Sequence, residues 1–492
     1  MRRAWMRELL GWLAALGLSL AVVAQVAASA RSELLFRDGD SLIVAMLSHS
    51  ILSGDRLDWA MSSVLFLPET AVFTALDAVL PLDLNGLLAV AAVVNLLALY
   101  GAVRVAAGRR GAGAAPVAWS LTALALFGAM AATDVSSSRD ALELASLQLT
   151  TTYYSATVVT TVLVIGLLRR ALDGRGAWPL AAAAAVSALS VLSNPLFAAW
   201  ATVPVSVLLA VGMLRSRSRR LLLAAIGALV GGAVLGLLGR IPFSAWIANT
   251  GAGYAQPGQW LQSAGYYGGL LADRLSSPLG VLGALLVVAL IVLAVARTVR
   301  AESDGERLVA AAGWMLPLLV AIGAIALGTH AARYLQPVVF APLLALVARP
   351  SAVRMPRALG VVAAGLALIA GALGIPRLDA AVHRPDADLD CVTAWVDASG
   401  RVGAGQFWTV RLPKAHLDDP SQLVQVDHRL DGYAWLVNRT DLDVGEVSFL
   451  VEDAQTVRWQ LPVAAIPEEV VQCGRYSILA FATPLPLGPA HS

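Results

Sequence analysis

Two short stretches of this 492-residue chain hold side chains whose types and spacing suit chemistry. The first is Phe36-Arg37-Asp38-Gly39-Asp40-Ser41, in which two carboxylates flank a glycine. An ionised carboxylate only accepts hydrogen bonds, and one held against a hydroxyl can take its proton as a general base. Asp40 has a competing use, because the apolar run Leu42 to Leu52 reads as a surface helix and Asp is a preferred N-cap residue. Asp40 or Ser41 is expected to fill that cap. The second stretch is Thr329-His330-Ala331-Ala332-Arg333-Tyr334-Leu335-Gln336-Pro337. From Arg333 to Arg349 a regular helix rises only about 24 Å, less than a hydrocarbon core of about 30 Å. Arg333 therefore either sits below the membrane surface in a polar cavity or snorkels to headgroups. Its planar fork matches a phosphate.

Other candidates are looser. Asp134, Arg139, Asp140 and Glu143 form a charged stretch that reads as metal or substrate ligands or as a solvated loop. Arg240 and Arg274 bound a segment rich in aromatics, with Trp246, Tyr254, Trp260, Tyr266 and Tyr267. That composition suits an interfacial loop or a sugar or prenyl-chain surface, and makes both arginines candidate substrate contacts. His49, roughly 13 Å along a helix from Asp40, reads as a surface histidine.

The elements that must position these groups follow from composition. The chain is 58% hydrophobic and 14% charged, against soluble averages of roughly 45–50% and roughly 25%, which excludes a single soluble domain. Eleven apolar stretches, near 9–30, 86–107, 116–133, 153–168, 178–194, 197–214, 221–239, 278–296, 308–328, 334–348 and 358–375, read as membrane helices. With the N-terminus inside, 19 arginines fall on cytoplasmic segments, among them Arg104, Arg109, Arg110, Arg169, Arg170, Arg175, Arg215, Arg217 and Arg354. Seven fall outside before the tail: Arg31, Arg37, Arg56, Arg139, Arg240, Arg274 and Arg333. That bias is the positive-inside pattern, and an odd number of crossings puts the C-terminus outside. The first external loop, about 31–85, carries eight of the 17 acids in residues 1–376. Ser62 to Leu82 lies within it and reads as surface helices, since Pro68, Glu69 and Asp77 interrupt its apolar run.

Residues 377–492 hold 9 basic and 16 acidic side chains and no membrane-length apolar run. Short apolar runs at 406–411, 423–427, 433–438, 446–452, 456–461 and 476–482 read as strands of a small β-rich extracytoplasmic domain. Cys391 and Cys473 are the only cysteines, and outside the cell a disulfide between them is expected. The overall charge of +2 cancels opposite balances in the two parts and gives no reason to expect nucleic acid.

The pattern resembles the C-type (GT-C) glycosyltransferases, polytopic membrane enzymes that use polyprenyl-phosphate-linked sugars. The features that carry the resemblance are the acidic Asp38-Gly39-Asp40 in a long first external loop, surface helices in that loop, Arg333-Tyr334-Leu335-x-Pro337 opening a late helix, and an external C-terminal domain. The resemblance spans residues 1–376. The family's acidic pair is often adjacent, so the intervening glycine leaves open which carboxylate acts. It implies an inverting transfer in which Asp40, or failing it Asp38, deprotonates the acceptor hydroxyl. Arg333 would then steady the lipid phosphate, with His330 and Tyr334 as helpers. It also implies a plasma-membrane location, a sugar donor on a lipid and an envelope glycan, lipid or protein as acceptor. Some members use a divalent cation, Mg or Mn, for which Asp38, Asp40 and Asp134 are the candidate ligands. Two other classes fit the composition. One is a transporter or flippase of lipid-linked glycans, for which Asn95, Asn194-Pro195 and Gly231-Gly232 are the sequence hints. The other is a non-catalytic envelope-assembly protein.

Overall fold

The computed structural model describes residues 2–108, 115–174, 176–214, 218–351, 357–461 and 465–492. Arg109, Arg110, Arg175, Arg215, Arg217 and Arg354, part of the orientation argument, lie outside the described residues. The chain forms two compact units, each discontinuous in sequence. One comprises Met1–Leu35, Leu88–Ile241 and Ala252–Val382; the other comprises Phe36–Leu87, Pro242–Gly251 and His383–Ser492.

The first unit is helical. Among the described residues seven helices are long and apolar enough to cross a membrane: Trp5–Ala27, Leu84–Ala106, Ser155–Leu172, Arg219–Phe243, Pro278–Val299, Asp304–Ala326 and Gly360–Val382. Helices are what such sequences must form, because in an apolar medium each backbone amide has to be satisfied within its own segment. Pro116–Ala132, Trp178–Ser193, Ala198–Met213 and Ala332–Ala348 are apolar but shorter. Along Pro278–Val299, Leu282, Leu285, Val288 and Val292 are all more than half exposed, a face suited to lipid. The first and last helices pack so closely that a side chain at Gly17 would run into the backbone of Ala367, the small-residue packing of membrane helices.

The segment expected as a regular helix over 334–348 is broken. It runs as a 3-10 turn Ala332–Leu335, a helical turn Pro337–Phe340, a second 3-10 turn Ala341–Leu343 and a last turn Leu344–Ala348. Pro337 and Pro342 lack the amide that a continuous helix would need. Carbonyls at the ends of helical segments, which have no donor within their own helix, find arginines. Arg169 donates to the carbonyls of Ala106, Val347 and Ala348 at 2.6, 2.8 and 2.9 Å. Arg297 donates to those of Ala345 and Leu346 at 2.6 and 2.9 Å.

The second unit is built on a seven-stranded mixed sheet. Among the described residues the unit has nine strands, β1 (Trp59–Ala60), β2 (Gly403–Gln406), β3 (Leu423–Val426), β4 (Asp431–Tyr433), β5 (Val437–Asn438), β6 (Glu446–Glu452), β7 (Glu469–Cys473), β8 (Tyr476–Pro486) and β9 (Gly488–His491), of which β1 and β5 form a separate pair. The sheet order is β7-β8-β6-β2-β3-β4-β9, with β2 parallel to both neighbours. The expectation of strands at 423–427 and 446–452 agrees with β3 and β6. Two others are corrected. Residues Phe407–His416 form a helix, not a strand over 406–411, and 456–461 form no strand. The reason for the helix is topological: parallel β2 and β3 cannot be joined by a hairpin and need a crossover. Apolar side chains cover both faces, Val392, Val410, Phe449 and Ile478 in one cluster and Val424, Leu450, Phe481 and Leu485 in the other. The domain is therefore mixed α/β.

The loop between the first two long helices is stitched into this unit. β1 pairs antiparallel with β5, Arg439 bonds Asp58 at 3.0 Å, and Arg37 bonds Asp386 at 3.3 Å. Within the loop, Ser62 to Leu82 contains the helix Leu67–Asp77. Cys391 and Cys473 are joined as a disulfide, with Cα atoms 5.5 Å apart and a sequence separation of 82. Closing a loop of that size stabilises a fold by about 4 kcal/mol in the chain-entropy model. The Cys391→Ser, Cys473→Ser double variant of the full chain is expected to unfold well below the parent in a thermal melt followed by tryptophan fluorescence. An unchanged midpoint would remove the stabilising role of the bridge.

Candidate functional site

Asp38-Gly39-Asp40 lies in the second unit, seated on the crossover helix Phe407–His416. The turn is closed by the Ser41 amide, which donates to the Asp38 carbonyl at 2.8 Å and to Asp38 Oδ2 at 3.3 Å. Helix Ile43–Ser53 then begins after Leu42, which has helical torsions, and no side chain caps it. The cap expected from Asp40 or Ser41 is thus not formed, because the preceding turn carries the chain into the helix directly. Both aspartates are half-buried. His49 is exposed and bonds only Ser53, at 3.3 Å.

Gly39 has no side chain for a steric reason. A Cβ there would lie 3.2 Å from Cβ and Cγ of Arg411 and 3.4 Å from the ring of Trp408. Arg411 is 0% exposed. Its Nε donates to the Gly39 carbonyl at 3.3 Å, and Nη1 donates to the Leu436 carbonyl. Its guanidinium stacks 5.1 Å from the Phe407 ring. Burial lowers its pKa to about 10, against the pull of Asp40, Asp38 and Asp441, so it stays charged at neutral pH. Burial and the charge of Asp40 together push the Tyr433 hydroxyl up. A carboxylate pair, a buried cation and aromatic rings thus meet on one short helix. Arg411, Trp408 and Tyr433 were invisible as partners of the turn in the sequence; the one signal was a charge inside the apolar run Phe407 to Leu412.

Arg333 lies in the first unit, at the start of the broken segment. Its Nε donates to Tyr154 Oη at 3.2 Å, and its guanidinium carbon lies 5.9 Å from the ring centres of both Tyr153 and Tyr334. Tyr154 and Tyr334 stack at 6.3 Å, and Trp200 meets Tyr154 edge-on at 5.9 Å. Trp200 Nε1 donates to the Tyr334 carbonyl at 3.0 Å, and Gln336 Nε2 donates to the Tyr153 carbonyl at 2.8 Å. Tyr154 has φ of +69°, a left-handed conformation costly for a bulky residue and tolerated only where its surroundings fix it. Among the described residues no carboxylate forms an ion pair with Arg333. His330 is exposed, its ring 5.5 Å from Tyr266.

Arg274 and Asp134 are differently employed. Arg274 bonds Glu143 at 2.8 Å and Asp134 at 3.1 Å. Arg31 reaches Glu143 at 3.7 Å and donates to Ser146 Oγ and to the carbonyls of Ser136 and Ser138. Asp134 also accepts from the Ser146 amide at 2.9 Å, and burial pushes its pKa up to about 6 against both arginines. Two cations and two anions thereby close on each other, and Arg274 and Asp134 are held by this network. Arg240 donates to the Leu192 carbonyl at 2.7 Å. Among the described residues no group of three or more His, Cys, Asp or Glu side chains gathers to hold a metal ion.

No protein-family model and no curated protein matches the chain. The chemistry is therefore read from these two arrangements themselves. They differ in a way that stability measurements can separate. Breaking a buried ion pair strands its partner at a cost of about 3 kcal/mol, so Asp134→Ala is expected to lower the melting midpoint by several degrees. Arg333→Ala, which strands no carboxylate, is expected to leave it nearly unchanged. Equal losses would mean that Arg333 is a structural cation too.

Proposed function

We propose that the chain is a multi-pass plasma-membrane glycosyltransferase of the GT-C kind, with about eleven crossings, the N-terminus inside and the second unit on the extracytoplasmic face. The observation that carries this reading is Arg333, a half-buried cation among tyrosines with no ion-pair partner among the described residues. A charge kept below the surface without a counter-ion is expensive unless a ligand supplies one. A guanidinium fork suits the phosphate of a polyprenyl-phosphate sugar.

In the proposed reaction Asp40, with Asp38 as the alternative, takes the proton of an acceptor hydroxyl. The hydroxyl oxygen forms a bond to the anomeric carbon from the face opposite the phosphate, and the carbon–oxygen bond to phosphate breaks. The electron pair leaves with the lipid phosphate, whose charge Arg333 offsets, and the sugar is transferred with inversion. His330 and Tyr334 are helpers of Arg333.

Purified protein in lipid, offered labelled polyprenyl-phosphate sugars, tests the reading. Asp40→Asn is expected to cut turnover by about 100-fold or more while insertion and the disulfide stay intact. Full activity in both Asp40→Asn and Asp38→Asn would overturn the assignment. Arg333→Ala is expected to impair donor use more than Arg333→Lys; equal activity would remove the phosphate role. A flippase of lipid-linked glycans is the second reading, favoured by the broken segment Ala332–Ala348, since transporters bind at interrupted helices. It predicts movement of a labelled lipid-linked sugar across vesicles with no new glycosidic bond.

A further inference from the structure

Arg333 owes its setting to Tyr154, whose backbone is unusual for a residue of its size. Tyr154 lies immediately before helix Ser155–Leu172 with φ of +69° and ψ of 28°. A bulky residue keeps that left-handed conformation only where its surroundings over-determine it, and such positions gather at functional sites. Two further elements supply the surroundings. Trp200, 0% exposed, stands on the π-helical turn Ala198–Thr202 and meets the Tyr154 ring edge-on at 5.9 Å. Such π turns are rare and recur at functional sites. Tyr334, on the 3-10 turn Ala332–Leu335, stacks with Tyr154 at 6.3 Å. Trp200 Nε1 donates to the Tyr334 carbonyl at 3.0 Å, so the two neighbours that hold the ring are fastened to each other.

What this arrangement fixes is one nitrogen of Arg333. Its Nε donates to Tyr154 Oη at 3.2 Å. Among the described residues Nη1 and Nη2 have no hydrogen-bond partner, and neither is sealed from solvent. A guanidinium carries its N–H donors in a rigid planar fork. With Nε taken, the side-on pair of Nε and one terminal nitrogen is closed to a ligand. The end-on pair Nη1 and Nη2 remains, and two parallel bonds from it match two oxygens of one phosphate group. Arg333 is half-buried and Tyr154 is buried, so a ligand meets Arg333 while Tyr154 acts through it.

From this geometry we infer that Tyr154 is a positioning residue for a lipid-phosphate site on Arg333: by holding Nε, it presents Nη1 and Nη2 end-on to a single phosphate. The phenol costs the fork none of its terminal donors and removes the rotation that a free guanidinium would lose on binding. The inference deepens the proposed function and rests on that reading for the ligand being a phosphate. The binding step itself needs no sugar and no transfer.

The test uses the full chain in maltoside micelles, which carry no phosphate, and titrates two ligands by calorimetry: farnesyl phosphate for a prenyl phosphate and dioctanoyl phosphatidate for a membrane headgroup. Tyr154→Phe removes one oxygen and keeps the ring. It is expected to weaken farnesyl phosphate binding about 5-fold, the worth of one hydrogen bond, with the melting midpoint unmoved. Arg333→Lys, whose ammonium has no fork to orient, is expected to bind about 10-fold more weakly than the parent. Adding Tyr154→Phe to Arg333→Lys is expected to change nothing further, because the two residues act as a coupled pair. An equal loss from Tyr154→Phe in both backgrounds would make Tyr154 merely structural and overturn the inference. Unchanged affinity in Tyr154→Phe, or a parent that binds neither ligand, would overturn it too. Should Tyr154→Phe lower the melting midpoint, comparison of the two backgrounds still decides, since a fold defect weakens both. If phosphatidate shows the coupling and farnesyl phosphate does not bind, Tyr154 keeps its role and the donor reading of Arg333 falls. Asp40-dependent sugar transfer with a donor KM unmoved by Tyr154→Phe would overturn the inference and leave the enzyme standing.

Discussion

A backbone carbonyl without a donor is costly wherever water is excluded, and in this protein arginine side chains meet much of that demand. Arg169 and Arg297 fill the carbonyls of the broken segment Ala332–Ala348. Arg31 does the same for the stretch after Pro116–Ala132, Arg240 for the end of Trp178–Ser193, and Arg411 for the acidic turn. Each pins irregular backbone to a neighbouring element through donors that a regular helix would have supplied internally. Against that background Arg333 is the exception: its Nε donates to a phenol, and ring faces lie beside its guanidinium. The contrast, more than its depth, marks it out.

What the sequence made legible followed from local physics. Long apolar runs have one stable backbone solution in lipid, so the long helices could be placed within a few residues. The cysteines, being two, admit one pairing. Strands β3 and β6 could be placed for the same local reason, since their apolar runs alternate and are bounded by turn residues.

What was not legible depended on partners far along the chain. Gln406 to Arg411 alternates like a strand, yet β2 takes the place beside β3 and β6 as Gly403–Gln406, and the crossover requirement makes the following residues a helix. Asp40 looks like a helix cap only while Arg411 is unknown. The charged stretch at Asp134 gives no local sign that Arg31 and Arg274 reach it from other elements. In each case a polar side chain found a partner by packing, which no local window contains, and the sheet's mixed topology has the same origin.

The second unit also has a history. Its three pieces are separated in sequence by long helical stretches of the other unit, and the residue that seats the acidic turn is 372 positions downstream of it. At about 5 to 20 residues per second, the turn waits on the order of tens of seconds for its support. Until then Asp38 and Asp40 are two ordinary acids on a loop. The assembled turn therefore marks a chain extended past Arg411, and a chain stopped before it would carry both carboxylates without the geometry that gives them a shared environment.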